Sequence, residues 1–284
     1  MTDHLSHGEQ LVPIGDVELC VETFGDPRDP AVLLIDGAAA SMLWWGSAMC
    51  EQIARGDRFV IRYDNRDTGR STSYPPGRPG YTYPDLAGDA LEILDALDVE
   101  RAHLVCRSMA GGVGVIVAVD HPDRVASLTL VSTSTGEDGL PPSSDSARVT
   151  LPDPDPADPA AVVEVVVAWA KAYSGGSPYF DEAATRVLVE RDVARTRDIA
   201  SMLTNHYAID FTGSARDFAA VTAPTLVVHG DHDPVLPLPH GQALRNAIPG
   251  AELLVLAGAG HDLPEPLWDV FVPALIRHTA GGRP

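Results

Sequence analysis

The chain has 284 residues, 45% of them hydrophobic, and a formal net charge of −20. Its length and apolar content support one large domain with an ample core and an inserted subdomain, rather than two independent domains. The negative charge excludes nucleic acid and anionic membrane as partners, because polyanions would be repelled.

No run approaches the roughly 20 apolar residues of a membrane span. The segment Met1–His7 lacks the basic and apolar regions of a secretion signal. Cys20, Cys50 and Cys106 have no metal-ligand spacing and read as buried reduced thiols. These features lead us to expect a cytoplasmic protein, while leaving its oligomeric state open.

Strands are predicted at Val17–Thr23, Ala31–Ile35, Phe59–Tyr63, His103–Cys106, Ser127–Val131, Thr225–Val228 and Glu252–Leu256. Several are continuous Val/Leu/Ile runs, the pattern of strands covered on both faces. Helical patterns alternate with them at Ser41–Arg55, Tyr83–Leu97, Met109–His121, His240–Ala247 and Pro264–His278. Such alternation predicts an α/β fold with a mostly parallel, doubly wound sheet. Val17–Thr23 precedes the alternation and is expected to form an antiparallel edge. After Val131 the alternation stops. The Pro-rich stretch Pro141–Pro159 forbids regular structure and reads as a linker or mobile loop. Ala160–Tyr173 and Phe180–Met202 then read as helices. Residues 136–216 are therefore expected to be a helical cap inserted into a core domain of residues 1–135 and 217–284.

The chemistry concentrates at strand ends. Cys106-Arg107-Ser108-Met109-Ala110 follows an apolar strand and opens an apolar helix, the setting of a nucleophile elbow. The helix N-terminus and the Met109 N–H face the place where negative charge would develop; a serine that merely caps a helix is the bland alternative. Asp233 and His261 each follow a later strand, and alone they read as turn chemistry and a surface histidine. Together the three lie at the carboxyl ends of strands, where sites of open α/β sheets form. They also run in the order Ser, Asp, His that this architecture requires. Ser108 is then the nucleophile, His261 the base and acid, and Asp233 the group that orients His261. The loop Asp36-Gly37-Ala38-Ala39-Ala40 offers the Ala38 amide as a second oxyanion donor beside Met109.

These residues carry a resemblance to the α/β-hydrolase superfamily and, more narrowly, to the aclacinomycin methylesterase group. It extends through Phe24-Gly25-Asp26-Pro27, Arg62-Tyr63-Asp64, Arg66-Asp67-Thr68-Gly69-Arg70-Ser71-Thr72, Ser108-Met109, His232-Asp233-Pro234 and Gly260-His261. The resemblance implies an α/β-hydrolase fold with an eight-stranded sheet, a helical cap and a cofactor-free serine esterase mechanism. Its implied substrate is a bulky, apolar small molecule, such as a methyl ester of a polyketide-like aromatic. Two departures stand out. Asp36-Gly37 occupies the position where His-Gly or Gly-Gly is usual. Cys106 and Ala110 replace the elbow glycines, each at a cost on the order of 1–3 kcal/mol unless Gly111 and Gly112 relieve the crowding.

Trp44 and Trp45 are candidates for a pocket wall, with core packing as the alternative. Arg107 is a candidate for a substrate carboxylate, with a surface acid as its alternative partner. Arg66 and Asp67 are expected to brace a loop. His229, Asp231 and His232 share one tight turn without a distant ligand, so no metal site is expected. Three functions fit the pattern: ester hydrolysis, other chemistry of the same fold (C–C cleavage, decarboxylation, perhydrolysis or His–Asp base catalysis), and non-catalytic ligand binding.

Overall fold

The continuous apolar runs lie in the middle of one eight-stranded sheet. In the computed structural model, which describes residues 8–149 and 151–282, the strand order is β1-β2-β4-β3-β5-β6-β7-β8. β3 (Ala31–Ile35), β4 (Phe59–Tyr63), β5 (Ala102–Arg107), β6 (Val125–Val131) and β7 (Thr225–Gly230) are buried at every residue. Together with β8 (Glu252–Leu256) they run parallel. Successive side chains point to opposite faces, so Leu33 and Ile35 join one core layer while Val32 and Leu34 join the other. α2 (Tyr83–Ala96), α3 (Ala110–Asp120) and α7 (Pro239–Ala247) cover the first face, and α1 (Ser47–Ala54) and α8 (Trp268–Thr279) the second.

Three expectations are corrected. The antiparallel edge is not Val17–Thr23 but a further strand, β1 (Gln10–Ile14), turned through Gly15 at φ +51° into β2 (Val17–Phe24). β2 pairs with both β1 and β4. The helix expected at Ser41–Arg55 opens as a 3-10 turn, Met42–Trp44, and only then becomes α1. The helix expected at Phe180–Met202 is two, α5 (Glu182–Arg195) and α6 (Ile199–Thr204). Thr196 is extended there, and the Asp198 side chain accepts the Ser201 N–H to start a new helix.

α4 (Pro159–Tyr173), α5 and α6 lie between β6 and β7, and α4 and α5 share a small valine core of their own. The Pro-rich stretch holds one 3-10 turn at Asp145–Ala147 and is pinned to the β7–α7 segment through Ser144 N–H to Pro234 O at 2.8 Å. Arg66 pairs with Asp89 at 2.6 Å, and Asp67 accepts the Tyr74 N–H at 2.6 Å and the Tyr81 hydroxyl at 2.8 Å. Both residues brace the loop after β4. The Met1–His7 segment lies outside the described residues.

The elbow accommodates its added side chains differently from the expectation. A Cβ on Gly114 would stand 2.5 Å from Cys106 Sγ, so it is Gly114 that makes room for the thiol. Gly111 and Gly112 instead let α3 approach Thr133 and Tyr83. Gly114→Ala is therefore expected to destabilise the fold by about 1–3 kcal/mol through overpacking. Adding Cys106→Ala should recover most of that loss. Urea unfolding of the single and double variants measures both.

Candidate active site

The turn between β5 and α3 is sharp. Ser108 adopts φ +52°, a strained conformation for a residue with a Cβ, and its backbone is tied to the end of β6. Its N–H donates to Val131 O at 2.9 Å, while its carbonyl accepts from Thr133 Oγ1 at 2.7 Å. β7 ends three residues before Asp233. There the carboxylate Oδ1 accepts the Val235 and Leu236 amides, each at 2.9 Å, and Oδ2 lies 2.8 Å from His261 Nδ1. The turn reading of Asp233 and its contact with histidine thus coexist, one on each oxygen.

His261 follows β8 and reaches back over the sheet edge. Its N–H donates to Tyr173 O at 2.9 Å, and the Tyr173 ring meets the imidazole edge-on. Gly260 permits this approach, since a Cβ there would stand 2.4 Å from Ser174 O. The imidazole Nε2 lies 2.9 Å from Ser108 Oγ. With the Asp233 carboxylate on Nδ1, the neutral tautomer carries its proton there and leaves Nε2 to accept from the serine hydroxyl.

The loop after β3 passes against the same serine. A Cβ on Gly37 would come within 2.9 Å of Ser108 Cβ. The Gly37 N–H is taken by Asp36 Oδ1 at 2.7 Å, and the Ala39 N–H by His206 Nδ1 at 3.0 Å. Between them, the Ala38 amide donates to no other protein group among the described residues, and the same holds for Met109. Met109 follows Ser108 in the chain, and Ala38 follows Gly37, which packs against the Ser108 side chain. His206 comes from the segment after α6, and no sequence signal pointed to it. Its Nε2–H donates to Arg66 O at 2.8 Å, and burial pushes its pKa down, so it serves the loop as a neutral acceptor.

Arg107 is not paired with a surface acid. Its Nε and Nη2 each lie 2.9 Å from the Oδ1 and Oδ2 of Asp36, whose side chain is fully buried. The guanidinium also lies over the ring of Trp45, 5.1 Å from its centroid. Trp45 itself is corrected as a pocket candidate. It is fully buried under the sheet with Met49 and Phe271, because the 3-10 turn directs the two adjacent tryptophans apart. Trp44 does line the cavity above Ser108.

That cavity holds about 250 Å³. Its floor is Gly37, Ala38, Arg107, Ser108 and His261. Its walls are apolar and aromatic, with Val166, Trp169 and Tyr173 from α4, Met202 and Leu203 from α6, and Tyr207 beyond. The helices between β6 and β7 thus supply most of the cavity's large apolar and aromatic side chains. Trp44 Nε1 donates to Asp192 Oδ2 of α5 at 2.9 Å, tying the insertion to the wall.

Burial pushes the Asp192 carboxyl from 3.8 up to about 6. The folded protein then holds a proton that the unfolded chain releases. The resulting cost is absent below about pH 4, grows between pH 4 and 6, and is complete above pH 6. Asp192→Asn keeps an acceptor for Trp44 and removes that ionisation. It should stabilise the protein by on the order of 2–3 kcal/mol at pH 7.5, with the gain shrinking toward pH 4. Thermal unfolding of both proteins across that range measures it.

Among the described residues no group of three His, Cys, Asp or Glu side chains is arranged to hold a metal ion. Nor is any described helix long and apolar enough to cross a membrane. Cys106 is fully buried, and burial raises its thiol well above the usual range.

Residues 30–197 match the family described as alpha/beta hydrolase fold, and residues 193–266 a family described as TAP-like protein. The rhodomycin D methylesterase DauP of Streptomyces sp. (strain C5) is 32% identical, across 95% of this chain and 97% of its own. Its counterpart DnrP of Streptomyces peucetius is 31% identical over the same shares. Among solved structures, the enol-lactonase of Burkholderia xenovorans LB400 superposes with a TM-score of 0.75 at 22% identity. That match covers 95% of this chain and 100% of the lactonase. The chain belongs to the α/β-hydrolase family. Within it, the chain is similar to the aclacinomycin methylesterase group, and it is a carboxylic ester hydrolase.

Proposed function

We propose that this enzyme cleaves its ester through an acyl-Ser108 intermediate. Ser108 Oγ attacks the ester carbonyl while His261 Nε2 takes the hydroxyl proton. Asp233 holds the imidazole in the required tautomer and stabilises the imidazolium. The amides of Ala38 and Met109 receive the oxyanion. Collapse of the tetrahedral intermediate expels the alcohol, which takes the proton from His261. Water, deprotonated by His261, then attacks the acyl carbon. The second collapse releases the acid and returns the proton to Ser108. The observation that carries this reading is the unbroken chain from Asp233 through His261 to Ser108, at 2.8 and 2.9 Å.

Residues 136–216 act as a cap on a core of residues 1–135 and 217–284, and the cap selects the substrate. A methyl ester on a polyketide-like aromatic suits the aromatic walls, and the names of DauP and DnrP support that choice. These steps need no cofactor. Methanol release from a panel of aryl methyl esters tests the substrate class; cleavage of small aliphatic esters alone would refute it. Asp233→Asn should lower kcat about 10⁴-fold with little change in KM, since the imidazole loses its tautomer. An unchanged kcat in that variant would remove Asp233 from the mechanism.

A further inference from the structure

The loop after β3 holds a strained residue next to an unpaired amide. Ala39 adopts φ +56°, a conformation that costs free energy for a residue with a Cβ and persists only where neighbours hold it. One such contact is the Ala39 N–H donating to His206 Nδ1 at 3.0 Å. Upstream, the Gly37 N–H is held by Asp36 Oδ1 at 2.7 Å, and Asp36 O accepts from Asn65 Nδ2 at 3.0 Å. The planar peptides before Gly37 and after Ala38 are therefore both pinned. The peptide between them carries the Ala38 N–H, which donates to no described protein group. Gly37 packs against Ser108, so the two flanking contacts set that amide's direction next to the nucleophile.

His206 is itself anchored. Its side chain is buried, and its Nε2–H donates to Arg66 O at 2.8 Å in the loop after β4. Both partners demand one tautomer, with the proton on Nε2 and the lone pair on Nδ1. The ring is thus a strut from one core loop to the other. It does not line the cavity, whereas Leu203 and Tyr207, before and after it in the chain, do. We propose that His206 is a positioning residue for ester cleavage: by holding Ala39 it aims the Ala38 amide at the oxyanion, completing that site from the segment that also walls the cavity. This rests on the acyl-Ser108 reading, in which the oxyanion forms as Ser108 attacks. A donor stabilises the transition state only when it is aimed at the place where the charge develops. Releasing Ala39 lets the peptide before Ala38 turn and forfeits that stabilisation, while the cavity walls still bind the ester.

The test compares two amides at this position. Asparagine carries its oxygen near the place of Nδ1 and keeps an acceptor for Ala39. Glutamine carries its polar atoms near Nε2, so it can serve Arg66 O but leaves Ala39 unheld. In the hydrolysis of p-nitrophenyl acetate, His206→Gln should lower kcat about 10- to 100-fold with KM unchanged. Inhibition by benzyl trifluoromethyl ketone, whose adduct with Ser108 carries the oxyanion, should weaken by the same factor. His206→Asn should retain most of both. A merely structural role would not separate the two amides in this way, nor would it move the inhibitor in step with kcat. Wild-type kcat in His206→Gln, a loss confined to KM, or equal losses in both variants overturns the proposal. Thermal unfolding confirms folding. If His206→Gln does not fold, His206→Asn still decides: retained kcat and inhibitor affinity support the proposal, and their loss in folded protein overturns it. Fluorophosphonate labelling of Ser108 in the unaltered enzyme scores the acyl-serine reading separately.

Discussion

Replacing Ser108 by alanine should reduce ester turnover by about 10⁴- to 10⁶-fold, the range seen when a nucleophile is removed from a Ser–His–Asp unit. The reason is local. Among the described residues, His261 Nε2 has the serine hydroxyl at 2.9 Å as its one hydrogen-bond partner, so without it the imidazole has no nucleophile to activate. What remains is cavity binding and the Ala38 and Met109 amides, which act on an attacking water with little help. The variant should fold, because the elbow is set by backbone bonds to Val131 and Thr133 that alanine keeps. Substantial residual turnover would instead favour base catalysis by the His261–Asp233 pair without acylation. Steady-state kinetics on a cleaved aryl ester, with circular dichroism to confirm folding, decides between the two.

The second large effect is on stability. Asp36→Ala should cost about 3–5 kcal/mol, because it strands the buried Arg107 guanidinium beside the loop after β3. The pair is almost wholly sealed, with side-chain exposures of 9% for Arg107 and none for Asp36. Burial pushes the Asp36 carboxyl upward, and the Arg107 guanidinium and the Gly37 amide, both bonded to it, pull it back. Removing one partner leaves an uncompensated charge in a low-dielectric setting. Removing both should not, so Asp36→Leu/Arg107→Met is expected to unfold close to wild type in urea. The double variant should nonetheless lose activity, because Asp36 Oδ1 also holds the Gly37 N–H and so helps aim the Ala38 amide. A double variant as unstable as Asp36→Ala would show that the pair contributes net stability.

The fold was legible where hydrophobic pattern alone decides it. β3, β4, β5, β6 and β7 are continuous apolar runs because both their faces are covered. β1 was not legible. It is five residues long, half exposed, and contains Pro13, which only an edge strand tolerates. The break between α5 and α6 hid in Thr196-Arg197-Asp198, where a helix stop and a new cap fall within three ordinary polar residues.

At the candidate site, Ser108, Asp233 and His261 stood out because each follows a strand in a required order. The structure brings all three into hydrogen-bond contact. The supporting contacts were invisible. Asp36 and Arg107 are 71 positions apart, and Ala39 and His206 are 167 apart. Neither pairing leaves a periodic or local trace. Trp44 and Trp45 differ in role only because a 3-10 turn points one to the cavity and the other into the core, a distinction that composition cannot carry.

The most direct test of the central claim is intact mass after incubation with a fluorophosphonate, for wild type and Ser108→Ala. One covalent adduct on the wild type, located at Ser108 and missing from the folded variant, is the result this account predicts. A folded wild type that takes up no adduct, or one labelled equally in both proteins, would contradict it.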